Sequence, residues 1–238
     1  NIEIAVAAIK QGAYDYVEKP FNTDQLLVVV KRAYEHSELL QENVLLKRGD
    51  AEDDSLIGQS QTFRAMLTQL EKVASSNARV MLSGGGGSGK GLAAKTIHKL
   101  SSRQASPFVI VNCASSNPNK LEEVLFGIEH DNEKSVAGLL EKAHGGTVLF
   151  DEIAELPMDL QQKLLRCLNE QSFERAYGQS KVRVEFRVIS TTNKNLSLEV
   201  AEGRFKSELF HRLNVIPILI PSLEDRREDI PLLIEHFV

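Results

Sequence analysis

The chain has 238 residues, room for one large domain or for one domain and a piece of another. Hydrophobic residues at 42% and charged residues at 26% fit an ordinary globular protein, and a net charge of −5 excludes one that coats nucleic acid through bulk positive charge. Two cysteines, Cys113 and Cys167, exclude a disulfide scaffold and suggest a reducing, cytoplasmic location. No apolar run approaches the ~20 residues of a bilayer span, so no membrane partner is expected. The opening residues lack the basic start and cleavage site of a signal peptide. Their abrupt, Met-less beginning suggests a fragment.

In chain order, Ile2, Val6 and Ile9 fall on one helical face that Gly12 can stop. A short strand-like Tyr14-Asp15-Tyr16-Val17 and then Glu18-Lys19-Pro20-Phe21 follow. Asn22-Thr23 can cap a helix over about residues 24–48, in which Leu26, Val30, Ala33, Leu40 and Val44 make a heptad-like stripe. Its second half has little chain to pack on, so it predicts self-association into a homodimer or higher oligomer. The stretch AIKQGAYDYVEKPF resembles the end of a response-regulator receiver domain, in which the Lys of the Lys-Pro pair touches a phosphoryl group on an Asp. Lys19 and Pro20 match that pair. The acceptor Asp and its acidic neighbours lie earlier in that family, so this stretch alone is not expected to receive phosphate. The acidic run at residues 49–55 reads as a solvated linker.

Beyond the linker, five apolar runs alternate with helical segments: residues 80–82, 109–111, 148–150, 188–190 and 216–220. Near-continuous apolar strands suit a parallel sheet covered by helices on both faces, the α/β class. The first strand runs into Gly84-Gly85-Gly86-Gly87-Ser88-Gly89-Lys90, and a helical segment follows. Strand, G-x-x-x-x-G-K, helix is a P-loop: inward-pointing N–H groups and the helix N-terminus cradle phosphate, and Lys90 reaches the β/γ-phosphates of ATP or ADP. The position after Lys90, where Ser or Thr ligates Mg²⁺, holds Gly91.

The third apolar run ends in Asp151-Glu152. Carboxylates at the C-terminal end of a buried strand lie beside the P-loop in such a sheet. Asp151 is predicted to hold Mg²⁺ through water and Glu152 to polarise the attacking water. Asn193, closing the next strand, can orient that water from the other side.

The stretches VNCAS, EEVLFG, GGTVLFDEIAELP, QQKLLRCLNEQSFER, STTNKNL and LFHRLNVIPI resemble the AAA+ domain of NtrC-type transcription activators and cover nearly all of residues 56–238. The resemblance implies a receiver end over 1–36, a helical linker over 37–55, a P-loop AAA+ domain over 56–222 and the start of a helical lid over 223–238. It implies that Asn112 holds the catalytic Glu152 until nucleotide state changes, that Asn193 is sensor I and that Ile57 and Gly58 lie beside the adenine. Arg212 would be an arginine finger acting on a neighbouring subunit, with Lys206 in place of the other finger. Glycines stand where the family usually has Glu, at Gly85 and Gly91. The GAFTGA loop that grips sigma-54 is replaced by IEHDNEKSVAGLLEKAH, which argues against a sigma-54 contact and most resembles the NtrX branch.

His36, His98, His130, His144, His211 and His236 have no metal-ligand spacing, and Cys113 and Cys167 read as small core residues. The resemblance implies a two-component response regulator with a sensor histidine kinase partner, binding promoter DNA through a C-terminal domain beyond these residues. An active sigma-54-remodelling ATPase and a non-catalytic nucleotide-sensing scaffold are the alternatives.

Overall fold

In a computed structural model of the protein the described residues are 55–114, 118–129 and 135–237, all within one unit, Ser55–Val238. Lys19, Pro20, the helix expected over 24–48 and His130 lie outside the described residues. In chain order the elements begin with α1 (Gln61–Ala74), β1 (Val80–Ser83), α2 (Lys90–Lys99), β2 (Phe108–Asn112) and α3 (Pro118–Phe126). A small hairpin, β3 (Gly127–Ile128) and β4 (Val136–Ala137), leads to α4 (Leu139–Lys142), β5 (Thr147–Asp151) and α5 (Met158–Glu170). After them come β6 (Ser172–Glu174), β7 (Lys181–Arg183), β8 (Arg187–Thr192), α6 (Leu196–Ala201), α7 (Ser207–Leu213), β9 (Ile216–Leu219) and α8 (Ile230–Phe237).

The main sheet has the order β2-β5-β8-β1-β9, and every pairing in it is parallel. All five strands expected from the apolar runs are present. The central strands are apolar because both faces are covered: Val80 and Leu82 pack with α1 and α2, while Met81 between them packs in the layer of α3, α5 and α7. The edge strands β2 and β9 leave Ile110 and Leu219 exposed. The chain leaves β1 for the far edge at β2 and works back, and β9 takes the other side of β1. That reversal puts a crevice at the C-terminal end of β1, where α/β sheets bind ligands.

Helix α1 forms because Phe63, Met66, Leu70 and Val73 recur on one face and are buried, and because the Ser60 hydroxyl accepts the Phe63 N–H at its start. Leu70 is fully buried, so its truncation to Ala costs about 2–5 kcal/mol. Two polar side chains in the core, Arg187 and His98, have partners that fix the layers. Arg187, at the start of β8, donates to the Val73 and Ala74 carbonyls at 2.8 and 3.1 Å, closing the C-terminus of α1. The buried His98 ring lies 3.0 Å from the Thr147 hydroxyl, against Phe108. Its pKa is lowered mainly by burial, with the Arg187 charge adding to that and a Ser106 backbone hydrogen bond opposing it. Cys113 and Cys167 are both core residues; burial pushes the Cys167 thiol up to about 12.

The small hairpins β3–β4 and β6–β7 have only two or three residues per strand and no apolar run to announce them. They are tied to each other by Arg175, which grips Glu141 through Nε and Nη2 at 2.9 and 2.7 Å and reaches Glu129 at 3.3 Å. The Ser180 hydroxyl donates to Glu129 at 2.9 Å. Both ends of the segment that replaces GAFTGA are thereby held against the second hairpin.

Candidate functional site

The site grows from the C-terminal edge of β1, β5 and β8. Between β1 and α2 the chain turns through Gly87 and Gly89, whose φ values of 71° and 96° lie in the left-handed region open to glycine. This bend starts α2 at Lys90 and leaves the loop backbone curled around the helix N-terminus. Lys90 is 6% exposed; its Nζ donates to the carbonyls of Gly84 and Gly85, both at 3.0 Å, and lies 3.1 Å from the Glu152 carboxylate. A buried ammonium is tolerated here because it is paired and its three N–H groups are used. Gly85, Gly86 and Gly91 border open space, where an added Cβ meets nothing. Ser88 completes the loop, and its buried Oγ has no partner among the described residues.

Asp151 ends β5, paired in register with Asn112 of β2. Its Oδ1 accepts the Thr191 hydroxyl at 2.6 Å, short enough for a charge-assisted bond. Glu152 follows in a left-handed conformation (φ 51°, ψ 56°), which costs a non-glycine residue about 1–2 kcal/mol. Three contacts hold it there. Its N–H donates to Thr191 Oγ1 at 2.9 Å, one carboxylate oxygen meets Lys90, and the other accepts the Asn193 N–H at 2.9 Å. The field of the two acids reaches Cys113, whose thiol is raised first by burial and then by Asp151 and Glu152.

The sequence-predicted residues divide in two. Lys90, Asp151, Glu152 and Asn193 converge. Asn112 ends its strand nearby, but its side chain accepts the Ala114 N–H at 2.9 Å, and Glu152 is held by Lys90 and Asn193 instead. Arg212 lies on α7, and Lys206 is the N-cap residue that precedes that helix. Arg212 is exposed and donates to the Leu168 carbonyl at 3.4 Å; the pKa of Arg79 is lowered mainly by burial, with the Arg212 charge adding to that. Lys206 gives its backbone N–H to Gln161 at 2.8 Å. Among the described residues neither side chain forms an ion pair, with Glu208 or any other acid.

Three contributors were not visible in the sequence. Thr191 joins both acids. Asp229, fully buried, accepts the N–H groups of Gln59 and Ser60 at 2.7 and 2.8 Å and the Ser60 hydroxyl at 2.8 Å, fixing the strip that carries Ile57 and Gly58. Arg226 donates to the Ser88 carbonyl at 3.2 Å and covers the Phe63 ring at 5.7 Å. The segment Glu224–Asp229 therefore touches both the P-loop and the segment before α1. Among the described residues no group of three or more His, Cys, Asp or Glu side chains is placed to hold a metal by itself, and no helix is long and apolar enough to cross a membrane.

Residues 56–219 match the sigma-54 interaction domain family. The chain is 45% identical over 239 residues to the nitrogen assimilation regulatory protein NtrX of Azorhizobium caulinodans, a match covering all of this chain and 52% of that protein. It is also similar to the crystal structure of NtrX from Brucella abortus in complex with ADP (TM-score 0.76, 46% identity, all of this chain and 54% of that one). The ATP complex of the same protein gives a TM-score of 0.73 at 45% identity, over all of this chain and 51% of that one. The chain spans about half the length of the curated relatives it matches.

Proposed function

We propose a function from one premise: the chain belongs to the sigma-54 interaction domain family, as an AAA+ domain of the NtrX type. The proposal is that it is the nucleotide-binding centre of a two-component response regulator that controls transcription in the cytoplasm. Residues 56–222 would bind ATP or ADP, 223–238 would begin the lid, and 1–36 and 37–55 would be a receiver end and a dimerising linker. A sensor histidine kinase and promoter DNA would be partners of the whole protein. The observation that carries this reading is the contact of Lys90 with Glu152, next to Asp151 at the C-terminal end of β5.

Chemically, phosphate oxygens would take over the donors that Lys90 now gives to the Gly84 and Gly85 carbonyls, with the loop N–H groups and the α2 N-terminus sharing the charge. Mg²⁺ fits the donor set: it commonly binds through one or two carboxylates and the nucleotide's own phosphates, and Asp151 supplies one carboxylate. When bound it would neutralise charge between the phosphates. Gly91 offers no hydroxyl to it. Glu152 would orient the attacking water, with Asn193 beside it. Arg212, and Lys206 more weakly, would act across a subunit interface, since lysine lacks the planar fork that bonds two phosphate oxygens at once. Ile57 and Gly58 would flank the adenine.

The Arg175 clamp on Glu129 and Glu141 supports a domain without a sigma-54 grip, because it pins both ends of the shortened segment. Gly91 and Lys206 favour a second reading, a nucleotide-sensing scaffold without turnover. ATP turnover against protein concentration separates the two. Slow hydrolysis whose rate per subunit rises with concentration, increases in Lys206→Arg and vanishes in Arg212→Ala supports a trans-acting ATPase. A rate that is flat with concentration and indifferent to both substitutions refutes it and leaves the scaffold.

A further inference from the structure

Strand β8 ends in three hydroxyl residues in a row, Ser190, Thr191 and Thr192, and the pleat sends them different ways. Ser190 is buried with no partner for its Oγ among the described residues. The Thr192 hydroxyl turns to the backbone of Lys194. Thr191 alone faces the acids. It is fully buried and sits across from Leu82, the residue before the last of β1.

A hydroxyl has one proton to give and lone pairs to receive. Thr191 spends the proton on Asp151 Oδ1 at 2.6 Å and receives the Glu152 N–H at 2.9 Å. The first bond fixes the rotation of the Asp151 carboxylate and leaves Oδ2 without a hydrogen-bond partner among the described residues. The second holds the peptide that sets Glu152 in its left-handed conformation, from which its carboxylate reaches Lys90 and Asn193. One oxygen atom therefore sets the orientation of both acids.

We propose that Thr191 is a positioning residue of the nucleotide site: its hydroxyl aims Asp151 at the Mg²⁺ of a bound nucleotide and Glu152 at the attacking water. This rests on the nucleotide-site reading above. A methyl group in place of the hydroxyl keeps the shape but leaves the Glu152 N–H without an acceptor and Asp151 free to turn. Groups that orient a metal ligand through a hydrogen bond typically account for about 10–100-fold in metal affinity or activity.

The experiment is a fluorescence titration of the full chain with a ribose-labelled ADP in the absence of Mg²⁺, and with the corresponding ATP in its presence and absence. Thr191→Val should bind Mg²⁺-free ADP within about twofold of the wild type, which also shows that it is folded, and lose about tenfold of the Mg²⁺-dependent gain in ATP affinity. Thr191→Ser, which keeps the hydroxyl, should recover that gain. If Thr191→Val keeps the gain, if Thr191→Ser does not restore it, or if Thr191→Val loses Mg²⁺-free ADP as well, the positioning role is wrong. A wild-type chain with no Mg²⁺-dependent gain overturns the metal reading of the site, and this inference with it.

Discussion

Asp229 offers the sharpest test of how the segment after β9 is coupled to the nucleotide crevice. Its carboxylate is sealed from solvent and accepts three hydrogen bonds: two from the backbone of Gln59 and Ser60 and one from the Ser60 hydroxyl. In Asp229→Ala the Ser60 hydroxyl can fall back on Thr62, 3.3 Å away, but the two N–H groups keep no acceptor. A buried donor left unpaired costs about 1–3 kcal/mol, so the loss should be about 2–5 kcal/mol, or roughly 5–15 °C in Tm for a unit of this size. Asp229→Asn retains an acceptor oxygen and should cost about 1–2 kcal/mol, mainly through the lost charge. Burial pushes the Asp229 carboxyl up, but the bonds from Gln59 and Ser60, aided by the Arg226 charge, outweigh it and hold the group below the ordinary aspartate value of 3.8. Because the folded value is the lower one, this stabilisation is fully present above the unfolded value and is lost as pH falls through the folded one. Thermal and urea unfolding from pH 7 to pH 3 should show the gap between wild type and Asp229→Asn full near neutrality and shrinking in acid. A gap that does not change with pH, or an Asp229→Ala variant within 1 kcal/mol of wild type, would refute the reasoning.

Two further outcomes follow from buried groups and open space. His98 is held neutral by burial, so protons favour the unfolded chain once pH falls through the unfolded value near 6.5, and stability should decline from pH 7.5 to 5.5. In His98→Gln that decline should be smaller, and superimposable pH profiles of Tm would contradict the assignment. A side chain at Gly91 meets nothing within 4 Å and its backbone is not left-handed, so Gly91→Ser should add a Mg²⁺ ligand without strain. Titration should then find tighter ATP binding with Mg²⁺ but not without it; equal affinity in both conditions would mean the hydroxyl does not reach the metal.

The sheet was legible because both faces of its central strands are buried. Strands such as Val148-Leu149-Phe150 must be apolar throughout, and a helix-forming segment must separate each from the next. The P-loop was legible because Gly84, Gly89 and Lys90 keep the spacing G-x-x-x-x-G-K at the end of an apolar strand, and Gly89 takes a positive φ. Thr191 was not, because three hydroxyl residues in a row look alike until the register of β8 against β1 and β5 puts Thr191 on one face and Ser190 and Thr192 on the other. Asp229 was hidden in Glu-Asp-Arg-Arg-Glu-Asp, which has the composition of a solvated run; only the chain path returning to Gln59 and Ser60 removes that one acid from water. The side-chain direction of Asn112 likewise depends on its strand end, where the Ala114 N–H is the nearest donor. Such contacts are decided by a few tenths of an ångström between distant segments, and spacing along the chain does not carry them.

The central claim is that the glycine-rich turn after β1 is a nucleotide site built around Lys90, and calorimetric titration of the full chain with ADP tests it most directly. Lys90 is the loop's own point charge and is already oriented by the Gly84 and Gly85 carbonyls and Glu152. Lys90→Ala should therefore weaken ADP by tenfold or more, about 1.4 kcal/mol or above, while Lys90→Arg, with its bulkier fork, should not restore wild-type affinity. Equal heats and equal affinities in wild type and Lys90→Ala would show that phosphate is not bound in this turn.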